Sequence, residues 1–183
     1  MTISIKKMRD NFVPEDRFFS VKDKNVRPIT DEISTGINCY ALAVGCLCPG
    51  KEGEDYIPGF TENSPYESKA DLPEKICLDL ANWGKNFRKL NIFGPLDLKE
   101  NEYLIKVFYS DPTKDHPRGN FHLIRQNKET KIWYHKLGFY NQPVLAQIVG
   151  FPEDHDPEEL IFLDEKTKQI IYYYPICYFA IEK

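Results

Sequence analysis

Apolar positions recur along this chain with two periods, and the change from one to the other divides it. From Asn38 to Leu47 nearly every residue is apolar on every side, which predicts a buried helix over 38–47. Ser34, Thr35 and Asn38 are N-cap types that can open it, and Cys48-Pro49-Gly50 stops it. Ile76, Leu80, Trp83, Phe87 and Leu90 then fall at helical spacing behind Asp71-Leu72-Pro73-Glu74, predicting a second helix from 71 to about 90. After residue 100 the pattern becomes short runs rich in β-branched and aromatic residues. Strands are predicted at 103–109, 121–126, 131–136, 144–149, 159–163, 169–174 and 176–181. Helices first and hairpin-linked strands afterwards describe an α+β fold, with N-terminal helices packed on a C-terminal antiparallel β-sheet. At 183 residues the chain is read as one domain, 1–183. It comprises an N-terminal arm over 1–33, a helical part over 34–90 and a sheet over 100–183. The Gly-, Pro- and Asn-rich stretch 51–69, carrying Tyr56, Phe60 and Tyr66, reads as a long loop suited to lining a cleft.

One predicted hairpin carries chemistry. Phe121-His122-Leu123-Ile124-Arg125-Gln126 and Lys131-Ile132-Trp133-Tyr134-His135 flank the polar turn Asn127-Lys128-Glu129-Thr130. A turn centred between Lys128 and Glu129 sets Gln126 opposite Lys131, Ile124 opposite Trp133 and His122 opposite His135. Directly opposed side chains share a face with Cβ atoms roughly 5 Å apart. Two of the chain's four histidines would therefore meet, one able to act as a base while the other orients it. Asp111 and Asp115 precede His122 closely enough to compete as orienting partner, and Asn141 follows the hairpin.

Cys39 is the candidate nucleophile. It falls in the first turn of the predicted helix, where free backbone N–H groups and partial positive charge favour a thiolate and can receive an oxyanion. Asn38 caps that turn. A Cys opening a buried helix and a His opening a later strand form the pairing of a thiol hydrolase.

The order of Cys39, His122 and His135 resembles the papain-like cysteine peptidases, closest to their compact NlpC-type branch of cell-wall peptidases. The resemblance covers roughly Ser34 to Gly138 and rests on short motifs. Asn38-Cys39-Tyr40 stands where the family usually has Asp-Cys-Ser, and Asn120-Phe121-His122-Leu123 where it has a Gly-His-Val-Gly type of strand start. Tyr134-His135-Lys136-Leu137-Gly138 is similar to a Trp-x-His-Lys-Pro-Gly pattern of bacterial relatives. The resemblance implies a papain-like fold and cleavage of γ-glutamyl or other peptide-stem amides. Cys39 attacks, His122 is the base, His135 orients it, and the Cys39 N–H serves the oxyanion, with no metal or cofactor required. The same three residues would also serve a protein-glutamine deamidase or a transglutaminase-like effector.

Composition narrows the rest. A formal charge of −4, with 24 basic against 28 acidic residues and no long basic cluster, argues against nucleic acid as the partner. Five cysteines, an odd number without framework spacing, fit a reduced compartment better than a disulfide scaffold. Cys46, Cys77 and Cys177 sit in apolar runs and read as small hydrophobes. The start of the sequence lacks a signal-peptide core and no run is long enough to span a membrane, which points to the cytoplasm, with export by a dedicated machine open. His116 and His155 lie in Pro-rich acidic loops and read as solvated turns, not metal ligands. The expected partner is a peptide or protein amide. The rival class is a non-catalytic interaction protein on a papain-like shell, using loop 51–69 and the tyrosines of Ile170-Ile171-Tyr172-Tyr173-Tyr174 as partner surfaces.

Overall fold

The computed structural model describes residues 38–45, 56–126, 131, 133–135, 144–145, 156, 158, 160–163 and 170–182. The arm over 1–33, the first part of the long loop, the hairpin turn 127–130, Asn141 and His155 lie outside them. The architecture is α+β. Helix α1 spans Cys39–Val44 and α2 spans Leu72–Asn82, joined through a 3-10 turn at Phe60–Glu62. The strands are β1 Phe87–Leu90, β2 Glu102–Ser110, β3 Asn120–Gln126, β4 Trp133–His135, β5 Val144–Leu145, β6 Leu160–Leu163 and β7 Ile170–Glu182. They pair in the order β1-β7-β2-β3-β4-β5, with β6 added to β7, and all described pairings are antiparallel. Among the described residues no helix is long and apolar enough to cross a membrane.

Three boundaries differ from the sequence expectation, each for a local reason. Helix α1 ends at Val44, not 47, because Gly45 takes a left-handed conformation and turns its N–H onto the carbonyls of Ala41 and Leu42. The second helix stops at Asn82, not Leu90, for the same reason. Gly84 has φ 72°, Lys85 N–H closes onto Leu80 O at 2.9 Å, and the chain leaves as β1, which pairs with the C-terminal half of β7. Phe87 and Leu90 thus belong to the sheet. Finally, the two strands expected at 169–174 and 176–181 are one, β7 over Ile170–Glu182. Pro175 lies across from Phe108 at a bulge, where a missing N–H is tolerated.

Strand β2 is buried along its whole length, and its alternation separates two cores. Tyr103, Ile105, Val107 and Tyr109 pack with Leu123, Phe179, α1 and α2 on one face. Leu104 and Phe108 pack with Ile124, Trp133, Tyr173 and Tyr178 on the other. The helical face is stapled by the buried carboxylate of Asp79 on α2. It accepts from the Tyr40 hydroxyl at 2.8 Å, from Gly59 N–H at 2.7 Å and from the Thr61 N–H and hydroxyl at 2.9 and 2.6 Å. Asp71 does not cap α2 with its side chain. Its carboxylate reaches back to the Glu67 and Ser68 N–H groups.

The start of β3 is fixed just as tightly. Gly119 has φ 74°, and a Cβ there would lie 2.3 Å from the Tyr109 hydroxyl and 2.5 Å from Ser110 O. The Tyr109 hydroxyl donates to Arg118 O, and the Tyr66 hydroxyl donates to Gly119 O. Gly119→Ala is expected to cost about 2 kcal/mol, from left-handed strain plus the clash. The check is chemical denaturation. A variant as stable as the parent would show that this turn does not hold β3 in place.

Candidate active site

His122 and His135 meet. His122 Nε2 and His135 Nδ1 are 2.9 Å apart, with ring centroids 5.1 Å apart and planes at 85°. They do not meet as directly opposed residues, however. Strand β4 pairs with β3 through Gln126–Trp133 and Arg125–Tyr134, so the register places His135 across from Ile124 and His122 one diagonal step away. The expected partner pairs Ile124–Trp133 and Gln126–Lys131 shift with it. Lys131 takes φ 61° and its carbonyl accepts from Gln126 Nε2 at 3.0 Å, which widens the end of the hairpin. A slip of two residues preserves the face of every side chain, so the two imidazoles still converge.

The contact fixes proton positions. One ring must donate and the other accept. If His122 Nε2 carries the proton, His122 Nδ1 holds the lone pair of a base and His135 is the acceptor that orients it. Both rings are buried. Burial holds His122 well below the ordinary imidazole range, with His135 adding to the effect, and burial lowers His135 to about 4. At neutral pH both rings are uncharged, as a base and its orienter need to be.

The other expected site residues lie at the start of α1. Asn38 is the N-cap. Its side-chain oxygen accepts from Ala41 N–H at 3.1 Å and its amide donates to Tyr56 O at 2.7 Å. That second bond ties the helix start to the loop after it. Cys39 follows as the first helical residue and is buried. Its thiol acts on the Tyr66 phenol, which burial raises to about 12, with Tyr109, Tyr173 and Cys39 adding in the same direction. Tyr40, the neighbour of Cys39, packs edge-on to Phe121, so the start of α1 lies by the end of β3 at which His122 lies.

The faces differ. Phe121 packs edge-on to Tyr40 and Tyr66, and Leu123 joins the α1 core. His122 alternates to the other side, against Tyr173 at 6.3 Å between centroids and beside Phe108 across the ladder. The structure thus joins the two histidines on the side of β3 that carries Tyr173, beside the strand end that the start of α1 reaches through Tyr40 and Phe121. The chain has no match among family models, curated proteins or solved structures. Geometry and chemistry alone carry the functional reading.

The face bearing the imidazoles holds a second polar group that the sequence reading passed over. Lys106 is buried opposite Ile124 and Tyr178, and its Nζ lies 2.8 Å from Asp156 Oδ1. The Tyr178 hydroxyl donates to the other oxygen of Asp156. Burial lowers the Lys106 ammonium and raises the Tyr178 phenol. The available signal was a lysine in the middle of the apolar run Tyr103–Tyr109. Asp111, one alternative orienter, accepts from the Tyr174 hydroxyl at 2.6 Å, and Asp115 is exposed. Among the described residues no group of three or more His, Cys, Asp or Glu is placed to hold a metal ion.

Proposed function

We propose that the chain is an amide hydrolase whose acid–base centre is the His122–His135 pair, with Cys39 as its nucleophile. The observation that carries this reading is the 2.9 Å contact between two buried imidazoles held uncharged. His122 takes the thiol proton and returns it to the leaving amine, while His135 holds the ring and its tautomer. The capped start of α1 supplies the Cys39 N–H as oxyanion donor. The substrate class in this reading is a peptide or protein amide, γ-glutamyl linkages included. A papain-like fold and a glutamine-deamidating variant of the same chemistry belong to the same proposal.

A second reading, a non-catalytic interaction protein, is favoured by one observation: β7 carries exposed large apolar side chains. Ile170 and Tyr172 on β7 are exposed and suit a partner surface in that case.

Thiol alkylation near neutral pH separates the two. As a hydrolase, the chain should alkylate at Cys39 well before Cys77 and Cys177, whose thiols burial raises, that of Cys177 to about 12. His122→Ala should then slow Cys39 to their level. On peptide or γ-glutamyl amide substrates, Cys39→Ala and His122→Ala should each lower the rate by about a hundredfold or more with the fold intact, and His135→Asn by less. A Cys39 whose alkylation ignores His122→Ala, in a protein that cleaves nothing, would leave the interaction reading standing.

A further inference from the structure

We propose that Arg125 is the seat of a carboxylate, at a site separate from the imidazole pair. Arg125 is an odd-numbered residue of β3 and so lies on the α1 face, opposite to His122. Its side chain is 2% exposed. The guanidinium carbon stacks 3.8 Å from the centroid of the Tyr103 ring, and the Tyr103 hydroxyl donates to Val44 O at the end of α1, which holds the ring still. Nε is buried and has no hydrogen-bond acceptor.

A guanidinium is a permanent cation with five donors, and a buried charge left unpaired is strongly unfavourable. Stacking on an aromatic face offsets part of that cost and consumes none of the N–H groups, which all point outward in the guanidinium plane. That edge is the arrangement that meets two oxygens at once. One guanidinium balances one monoanion. A phosphate dianion calls for a second cation, and the other buried cation among the described residues, Lys106, faces the opposite side and is paired with Asp156. The matching group is therefore a carboxylate, from a bound acid or from elsewhere in this chain.

Melting of the full chain and of Arg125→Met, in sodium acetate or N-acetylglutamate against sodium chloride at equal ionic strength, distinguishes the sources. A bound acid raises the parent's Tm by roughly 5 °C at saturation and leaves the variant unmoved. An internal carboxylate makes Arg125→Met melt roughly 10 °C lower, because its partner is stranded, and neither protein responds to added acid. If Arg125→Met does not fold, Nε–H exchange in the parent followed by 15N NMR decides. Protection from exchange, with or without added acid, supports the site. The proposal is overturned if the variant is as stable as the parent and indifferent to both acids, or if the Nε–H exchanges at the solvent rate throughout.

Discussion

Lowering the pH from about 7 to about 4 is expected to remove about 3 kcal/mol of folding stability through His135 alone. The unfolded imidazole titrates at 6.5 and the folded one at about 4. Each unit between them corresponds to about 1.4 kcal/mol. The sign follows from proton uptake. Between those values the unfolded chain binds the proton and the folded chain does not, so protons favour unfolding. The contribution is complete above pH 6.5 and is lost as the pH falls toward 4. His122 is likewise held well below its ordinary range by burial and by its neighbour, and it acts in the same direction. Denaturant unfolding across this range should show stability falling with a slope that the double change His122→Gln, His135→Gln flattens. Carboxylates act in a lower window. Arg88 grips Glu102 through two hydrogen bonds of 2.9 and 2.6 Å and lowers it to about 2, so its contribution is lost only below the ordinary carboxylate range. A stability that stays level from pH 7 to 5 would mean that the imidazoles are not both buried and neutral.

Asp79→Ala is expected to destabilise the fold by about 4 kcal/mol, the largest effect of any single change considered. Four donors converge on this carboxylate: the Tyr40 hydroxyl, the Gly59 N–H, and the N–H and hydroxyl of Thr61. Bonds to a charged acceptor contribute about 1.5–3 kcal/mol each, and stranding buried donors adds a penalty. Relaxation of the partly buried Thr61 toward water reduces the sum. The loss is also topological, because Asp79 is where α2 holds both α1 and the loop between them. Asp79→Asn should recover only part of it, since one amide edge would face donors with a donor. Equilibrium denaturation of the three proteins is the check, and a loss below about 1 kcal/mol would remove Asp79 as the staple.

Much of this was legible in the sequence, and the rest was hidden for identifiable reasons. The α+β order, the strands expected at 103–109 and 121–126, the cap at Asn38 and the meeting of His122 with His135 follow from periodicity and turn chemistry. The hairpin register did not follow, because a left-handed Lys131 lengthens the loop without leaving a glycine to announce it. Phe87 and Leu90 kept helical spacing by coincidence, and the left-handed glycine at 84 outweighed it. The face on which the histidines project is a tertiary property. It depends on where α1 docks, and in a strand buried on both sides apolar alternation no longer marks the helix side. Asp79 and Arg125 carry no local signature, since each gains its meaning from groups far along the chain.

The central claim is that His122 and His135 form one buried, uncharged, hydrogen-bonded unit. Imidazole 15N and 1H NMR of the full chain through a pH titration tests it most directly, with each resonance assigned by His122→Gln and His135→Gln. The expected result is a coupled pair silent through pH 6.5, with His135 titrating near 4, His122 well below its ordinary range, and a shared N–H visible between the rings. Two independent titrations near pH 6.5, with no proton held between the rings, would contradict it.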